Sequence, residues 1–135
     1  MKPEEVRLLL VDDSAMMRKV LRRLMSALGI GVIDEAPDGG VGLELFSRTP
    51  YDLVLTDWHM PVLTGLELLR EIRQGGLRSD TPVIIFTGDV SPRNMLDALE
   101  AGATDFVSKP FVGGIVCEKV LRILALLPRE HPTRV

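Results

Sequence analysis

The sequence predicts a single α/β domain of the (βα)5 type, in which a parallel five-stranded β-sheet is covered by helices on both faces. Short aliphatic runs, suited to strands buried on both faces, alternate five times with segments of helical periodicity. The connections between them are short, as expected for crossovers in a parallel sheet. A length of 135 residues fits one domain, and a hydrophobic content of 46% supports a continuous core.

The first half of the chain contains three predicted strands and two predicted helices. In order, they are a strand over 7–11, a helix over 15–28, a strand over 32–36, a helix over 38–48 and a strand over 52–56 that leads into Asp57. Ser14 or Asp13 can cap the first helix, and Gly29 ends it. The second helix contains three glycines between positions 39 and 42, each of which costs about 1 kcal/mol relative to alanine inside a helix.

The second half of the chain repeats the alternation. In order, the predicted elements are a helix over 66–74, a strand over 82–87, a helix between its cap Ser91 and Gly102, a strand over 105–108 and a helix over 113–127. The strand over 82–87 is rich in β-branched residues, and Pro92 suits the first position of the helix that follows Ser91. We therefore expect a domain over 6–127 and a C-terminal tail over 128–135.

The composition argues against nucleic-acid binding and against a membrane location. The net charge is −3, and the basic residues form no run that would attract nucleic acid. The longest apolar runs fall far short of the ~20 residues needed to cross a bilayer, and the charged N-terminal segment does not resemble a signal peptide. Cys117 is the only cysteine, which excludes an internal disulfide bond and suits a reducing environment. A cytoplasmic protein is therefore expected.

Polar side chains lie at or just after the ends of four predicted strands. They are Asp12 and Asp13 after the first strand, Asp57 after the third, Thr87 at the end of the fourth and Lys109 after the fifth. Because the ligand sites of parallel sheets lie at the carboxyl ends of the strands, we expect these side chains to meet at one edge. A single acid after a strand is more often a helix cap, but only one of two adjacent acids can be the cap.

Three carboxylates at one edge of the sheet predict a Mg²⁺ site. Carboxylates within ~4–6 Å of one another raise each other's pKa values unless a cation offsets the repulsion. The candidate ligands are oxygen atoms, and no cluster of histidine and cysteine favours zinc, so Mg²⁺ fits best. A hydrated Mg²⁺ leaves positions for phosphate oxygens, to which Lys109 and Thr87 could donate. Asp57, which stands alone at its strand end, is the best candidate for a nucleophile that forms an acyl phosphate.

Four motifs, taken together and in order, resemble the receiver domain of bacterial response regulators. They are Val11-Asp12-Asp13-Ser14, Asp57-Trp58-His59-Met60-Pro61, Thr87-Gly88 and Lys109-Pro110-Phe111. The resemblance extends from Val6 to Leu127 and is greatest to the single-domain, CheY-like chemotaxis regulators. It implies a doubly wound, flavodoxin-like sheet with strand order 2-1-3-4-5. It also implies a signalling protein of a two-component phosphorelay, not an enzyme that acts on outside substrates.

The resemblance implies a role for each residue of the site. Asp57 would be the phosphoacceptor, charged by a histidine kinase, a phosphotransfer protein or a small acyl phosphate. Four groups would hold Mg²⁺, namely the carboxylates of Asp13 and Asp57, the backbone carbonyl of His59 and, through water, Asp12. Two side chains would contact the phosphoryl group, namely Thr87 and Lys109, the latter aimed inward by a cis peptide bond before Pro110.

Further residues are expected to modulate the response. In the family, the threonine of the site moves toward the phosphoryl group and an aromatic side chain on the last strand turns inward, and these residues are Thr87 and Phe106 here. Phe106 has no hydroxyl group to stabilise the inward state, and a static core phenylalanine is the alternative. His59, where the family often has asparagine, and Asp89 occupy positions that tune the lifetime of the phosphoryl group. Exposed loop side chains without this role are the alternative.

The last helix is apolar over a wide arc, which either packs between two neighbours or presents a surface to a partner. The family commonly uses the last two helices and the last strand for dimers or protein targets, so a downstream target or a homodimer is expected there. The chain is read as a stand-alone regulator, with a receiver cut from a longer regulator or hybrid kinase, or a phosphate-sink adaptor, as alternatives. Two further alternatives are disfavoured. A phosphatase with an aspartate nucleophile would need an acid at the position of His59. A receiver-like scaffold that is not phosphorylated usually lacks part of the acidic pocket, whereas all five residues are present here.

Overall fold

The structure is a computed structural model that describes residues 1–76 and 78–128. Its elements are a 3-10 turn (Pro3–Glu5), β1 (Arg7–Val11), α1 (Ala15–Ala27), β2 (Val32–Ala36), α2 (Gly39–Arg48), β3 (Leu53–Asp57), α3 (Gly65–Gln74), β4 (Val83–Thr87), α4 (Pro92–Ala101), β5 (Asp105–Ser108) and α5 (Gly113–Leu126). All five predicted strands and all five predicted helices are present. Of the predicted tail over 128–135, only Pro128 belongs to the described residues, and the remainder of that prediction lies outside them.

Several element boundaries differ by one residue from the predicted ones, and capping explains three of these differences. Asp38 precedes α2 as its N-cap, because its side chain accepts a hydrogen bond from Val41 N. Ser14, and not Asp13, is the N-cap of α1. Leu28 and Leu127 follow α1 and α5 as C-cap residues, so they end the helices without belonging to them.

The five strands form one parallel sheet with the order β2-β1-β3-β4-β5. This order confirms both the predicted fold class and the arrangement implied by the resemblance. The sheet grows in one direction from β1 to β2 and in the other from β1 to β3. The crevice of a doubly wound sheet opens at such a reversal, outside the carboxyl ends of the strands. The topology therefore places the ends of β1 and β3 side by side at the crevice.

Apolar residues alternate between the two faces of the sheet, and each face carries its own hydrophobic core. Leu8 and Leu10 of β1 pack with the inner residues of α1 and α5. Leu9 and Val11 of the same strand pack on the opposite face, with α2, α3 and α4. Full burial of such a side chain contributes roughly 1.5–3 kcal/mol. With both faces covered, the central strands form a rigid frame for the side chains at their ends.

The wide apolar arc of α5 is divided between the core and the surface. Val116 and Val120 are completely buried against the sheet. Ile115, Leu121 and Leu126 are exposed, so α5 is only partly covered by the domain itself. Among residues 1–76 and 78–128, no helix is long and apolar enough to cross a membrane.

Two glycines allow close backbone approach beside the carboxyl edge of the sheet. A Cβ atom at Gly39 would lie 2.7 Å from the Cβ of Leu63, and closer still to the Leu63 carbonyl oxygen. A Cβ atom at Gly65 would lie 3.0 Å from the carbonyl carbon of Asp57 and 3.1 Å from Trp58 Cα. Gly39, one of the glycines that weaken the helical pattern of α2, thus packs against the β3–α3 loop.

At the amino edge of the sheet, one arginine of α3 holds two other segments in place. The Arg73 guanidinium donates to the carbonyl oxygens of Gly102, Ser79 and Thr81, over distances of 2.6–3.1 Å. Gly102 ends α4, and the other two residues lie in the connection to β4. The α3–β4 connection and the end of α4 are therefore held together at the edge opposite the crevice.

Candidate functional site

The register of the strands brings the predicted site residues to one level of the sheet. Val11 pairs with Thr56, so Asp12 follows β1 beside Asp57, the last residue of β3. Thr87 pairs with Ser108, and Lys109 N donates to the Thr87 carbonyl oxygen at 2.8 Å. The five polar residues that the sequence predicted to converge are consequently grouped around the carboxyl ends of four strands.

Three carboxylates meet at this edge. Asp12, Asp13 and Asp57 each have an oxygen atom within 4.8 Å of the other two. Asp12 and Asp57 are buried, whereas Asp13 is exposed to solvent. An all-oxygen donor set with one open side fits a hydrated, hard cation such as Mg²⁺, which binds through a few carboxylates and retains water ligands.

Bringing three carboxylates together has an electrostatic cost. Burial raises the pKa of Asp12 above its ordinary value of 3.8, and the charges of Asp57 and Asp13 act in the same direction. The hydrogen bond from Ser14 N at 2.8 Å and the charge of Lys109 oppose this rise. The direction of the pKa shift shows that the folded state disfavours the ionised carboxylate of Asp12.

We expect an Asp12→Asn variant to be about 1 kcal/mol more stable than the wild type in EDTA at neutral pH, because the amide removes a buried charge and keeps an oxygen for Ser14 N. Because the folded pKa is raised, the wild type is destabilised above that pKa and recovers stability as the pH falls through it toward 3.8. Urea unfolding at several pH values measures both effects. If the stability difference between Asp12→Asn and the wild type stays constant or grows on acidification, the expectation is wrong.

Lys109 contacts the cluster directly. Its Nζ lies 2.9 Å from Asp57 Oδ1, which also accepts a hydrogen bond from Trp58 N at 2.9 Å. Both of these contacts are made to the same carboxylate oxygen of Asp57. The peptide bond between Lys109 and Pro110 is cis, as the resemblance implied.

Thr87 and Asp89 are joined through the backbone of the β4–α4 loop. The Thr87 hydroxyl accepts from Asp89 N at 3.0 Å and lies 3.3 Å from the Asp89 carbonyl oxygen. The Asp89 carboxylate accepts a hydrogen bond from Ser91 N, one residue before α4. Thr87 is buried and Asp89 is exposed. Hydrogen bonds through Asp89 therefore link the Thr87 hydroxyl to Ser91, the residue that precedes α4.

Phe106 and His59 lie in different surroundings. Phe106 is half-buried on β5, and Lys119 Nζ of α5 lies 5.9 Å from its ring centroid. His59 is exposed in the β3–α3 loop, two residues after Asp57, with its ring centroid 6.3 Å from that of Trp58. Phe106 thus belongs to the β5–α5 surface, and His59 to the rim of the crevice.

The structure also places at the site a residue that the sequence reasoning missed. Arg18 of α1 donates to the backbone carbonyl oxygen of Asp12 at 2.7 Å and to Glu35 of β2 at 3.1 Å. Arg18 follows Asp12 by six residues, and Glu35 belongs to an edge strand. The sequence offered no signal beyond their charges, because the contact depends on how α1 packs beside β2.

The chain is similar to a described protein family and to chemotaxis proteins of two bacteria. Residues 8–120 match the family described as the response regulator receiver domain. The chain is 33% identical over 118 residues to the chemotaxis protein CheY of Pseudomonas aeruginosa, covering 87% of this chain and 95% of that protein. It is 32% identical over 124 residues to CheY-3 of Vibrio cholerae, covering 92% of this chain and 95% of that protein.

Solved structures agree with this result. The chemotaxis protein CheY4 of Vibrio cholerae superposes with a TM-score of 0.81 at 27% identity, over 87% of this chain and 98% of its own. The receiver domain of a sensor histidine kinase from Pseudomonas aeruginosa has a TM-score of 0.81 at 28% identity, over 89% and 98% of the two chains. That structure contains a magnesium ion coordinated in its active site cleft.

Receiver domains are signalling modules of two-component systems that interact with histidine kinases or phosphotransfer proteins. The acidic pocket of this chain has the composition expected for the Mg²⁺ and phosphoacceptor site of such a module. Fold, strand order, family match and relatives agree, and this chain belongs to the response regulator receiver domain family, with a CheY-like architecture.

Proposed function

We propose that this receiver accepts a phosphoryl group on Asp57 in a Mg²⁺-dependent reaction and passes the signal to a protein partner through a change of conformation. One observation carries the proposal. The carboxylate of Asp57 belongs to the acidic cluster with Asp12 and Asp13, and it lies 2.9 Å from the ammonium group of Lys109. The proposed nucleophile thus has both a cation and two further carboxylates beside it.

The proposed reaction is an in-line transfer of a phosphoryl group. An Asp57 carboxylate oxygen forms the new P–O bond while the bond from phosphorus to the donor breaks, and the donor leaves with the bonding electron pair. With acetyl phosphate the leaving group is acetate, and with a phosphohistidine it is the imidazole. Lys109 would stabilise the charge on the equatorial phosphoryl oxygens, and Thr87 would donate a hydrogen bond to one of them. The reaction acts on the protein itself and on no outside substrate.

Asp13, Asp57 and the backbone carbonyl of His59 are the proposed ligands of Mg²⁺, with Asp12 acting through water. The all-oxygen donor set and the exposure of Asp13 support this assignment. When bound, Mg²⁺ supplies a positive charge that offsets the repulsion between the carboxylates and the phosphoryl oxygens.

The test combines Mg²⁺ titration with intact-mass measurement after incubation with acetyl phosphate. The wild type is expected to gain one phosphoryl group only with Mg²⁺ present, and a matched Asp57→Asn variant to gain none. The fluorescence of Trp58, the only tryptophan and a neighbour of Asp57, should report Mg²⁺ binding in the wild type. A wild type that shows neither a Mg²⁺ response nor covalent phosphate refutes the proposal.

Thr87 and Phe106 are the proposed switch residues. A Thr87 hydroxyl that turned to the phosphoryl group would leave Asp89 N, to which it now binds at 3.0 Å, and would release the start of α4. Phe106 lines a cavity of about 220 Å³ between β5 and α5, together with Ile115 and Lys119. An inward turn of the ring would therefore reshape this surface. Phosphorylation would act by favouring one of the two conformations.

We expect His59→Asn to change the rate of phosphoryl loss from Asp57 severalfold, because His59 stands two residues from the acyl phosphate at the exposed rim of the crevice. The imidazole is bulkier than an amide and can block or orient the attacking water. Loss of phosphate after removal of acetyl phosphate, followed by intact mass, measures the rate. Asp89 is the second proposed lifetime-tuning residue, so Asp89→Asn is tested in the same way; its carboxylate now accepts a hydrogen bond from Ser91 N. An unchanged rate in His59→Asn contradicts its role in the lifetime.

The proposed output surface is formed by α4, β5 and α5, within a receiver module that we assign to residues 6–127. Leu96, Leu99, Ile115 and Leu121 are exposed apolar residues on these helices, as expected for a surface that binds a protein target or a second copy. A pull-down with and without a beryllofluoride mimic of the phosphoryl group tests it. Equal capture of every protein under both conditions contradicts a phosphorylation-dependent target.

A cytoplasmic location, where kinases and acetyl phosphate are available, completes the proposal.

A further inference from the structure

Arg18 connects the metal site to the edge of the sheet. Its Nη1 donates to the backbone carbonyl oxygen of Asp12 at 2.7 Å, and its Nε donates to Glu35 Oε1 at 3.1 Å. The Arg18 side chain is 18% exposed and that of Glu35 is 30% exposed, so both contacts are partly shielded from water. Hydrogen bonds from a charged donor are worth more than neutral ones, and partial burial strengthens them further.

Glu35 fixes the position of this guanidinium. Its second carboxylate oxygen accepts from Arg22 Nε at 2.5 Å, and Arg22 also donates to the Ile33 carbonyl oxygen at 2.6 Å. The hydrogen bond from Arg22 is the largest cause of a lowered pKa at Glu35, and Arg18 contributes in the same direction. Two arginines of α1 therefore share one carboxylate of β2, and each binds a different backbone carbonyl.

The carbonyl that Arg18 binds belongs to the peptide between the two acids after β1. Asp12 N donates to the Ala36 carbonyl oxygen at 3.1 Å, and Asp12 Oδ1 accepts from Ser14 N at 2.8 Å. The first bond fixes the backbone of Asp12, and the second fixes its buried side chain. The direction in which Asp13 leaves the sheet depends on the following peptide, whose oxygen is held by Arg18. Asp13 is exposed, so packing restrains its carboxylate less than those of the buried Asp12 and Asp57.

We propose that Arg18 is a positioning residue for the metal site, which orients the Asp12–Asp13 peptide so that the three carboxylates face one cation, with Glu35 as its anchor. The inference rests on the proposed function, because it assigns Arg18 a role toward Mg²⁺. Residues that orient ligands from behind in this way typically change metal affinity about 10–100-fold when they are substituted.

Arg22 provides a matched control on the same helix. Arg18→Gln and Arg22→Gln each remove one guanidinium from Glu35, and each removes a hydrogen bond to a backbone carbonyl. Only Arg18→Gln removes the contact with the metal site. If Arg18 only joined α1 to β2, the two variants would have the same Mg²⁺ affinity.

The experiment is a Mg²⁺ titration of the wild type and both variants, followed by Trp58 fluorescence, with urea unfolding in EDTA as a second measurement. We expect Arg18→Gln to bind Mg²⁺ about tenfold more weakly than the wild type. Arg22→Gln should bind Mg²⁺ as the wild type does, while both variants lose similar stability. Phosphorylation of Arg18→Gln by acetyl phosphate should be slow at low Mg²⁺ and should approach the wild-type rate at saturating Mg²⁺.

Two results overturn the inference. In the first, Arg18→Gln binds Mg²⁺ as tightly as the wild type. In the second, the two variants lose Mg²⁺ affinity equally, in parallel with their stability. A wild type that gives no Mg²⁺ response refutes the proposed function together with this inference, whereas the first two results refute the inference alone.

Discussion

A Lys109→Met variant is expected to accept phosphate from acetyl phosphate about 10²–10³-fold more slowly than the wild type, the loss usual when a preorganised charge-stabilising donor is removed. The ammonium group lies 2.9 Å from Asp57 Oδ1, where the charge of the phosphoryl oxygens would develop. Methionine keeps the length of the apolar stem and removes the charge. The rate of covalent phosphate gain, followed by intact mass at saturating Mg²⁺, measures the effect.

Lys119→Met is a matched control for this variant. The Lys119 side chain is 26% exposed, as is that of Lys109, and its ammonium group also pairs with an aspartate, Asp105, at 3.0 Å. It differs in lying outside the acidic cluster. We expect Lys119→Met to retain the phosphorylation rate of the wild type. Equal rates for the two variants would show that Lys109 does not stabilise the transferring group.

A Gly65→Ala variant is expected to lose about 3 kcal/mol of unfolding free energy, at the upper end of the cost of overpacking. The added methyl group would press on the carbonyl group of Asp57 and on Trp58 Cα at 3.1 Å, and both are backbone atoms that a rotamer change cannot move. Gly65 N also donates to the Trp58 carbonyl oxygen at 2.8 Å, which holds the two segments together. Urea unfolding measures the loss.

Gly114→Ala tests the same chemical change where space is available. Gly114 is the second residue of α5, and a Cβ atom there would meet nothing within 4 Å. Since alanine favours a helix by about 1 kcal/mol over glycine, this variant should be as stable as the wild type or more stable. A similar loss in both variants would show that steric contact at Asp57 is not the cause.

The sequence was sufficient to predict the elements whose signals are local. Strands buried on both faces are continuous aliphatic runs, and the caps Ser91 and Gly102 of α4 lie at the predicted positions. The convergence of Asp57 and Lys109 also followed from the chain alone, because the carboxyl ends of parallel strands meet at one edge. The strand order did not follow from these signals and came from the resemblance.

Contacts that depend on tertiary packing were not predictable in this way. The glycines of α2 were considered only as a cost to the helix, although Gly39 packs against the backbone of Leu63. The Arg18–Glu35 contact joins a helix to an edge strand, and charge alone does not distinguish such a pair from solvated surface residues. The carboxylate of Asp89 accepts a hydrogen bond from Ser91 N and so forms a local turn. The position of Asp89 two residues after Thr87 did not reveal this turn.

The contacts of Arg73 bear on how response and stability are related in this fold. By binding the carbonyl oxygens of Gly102, Ser79 and Thr81, Arg73 restrains the connections on the side of the sheet away from Asp57. A conformational change that started at Asp57 would then leave these connections at the amino edge in place. Substitutions at the carboxyl edge could therefore shift the balance between conformers with little effect on global unfolding. Signal strength and thermal robustness can accordingly evolve as separate properties of the same domain.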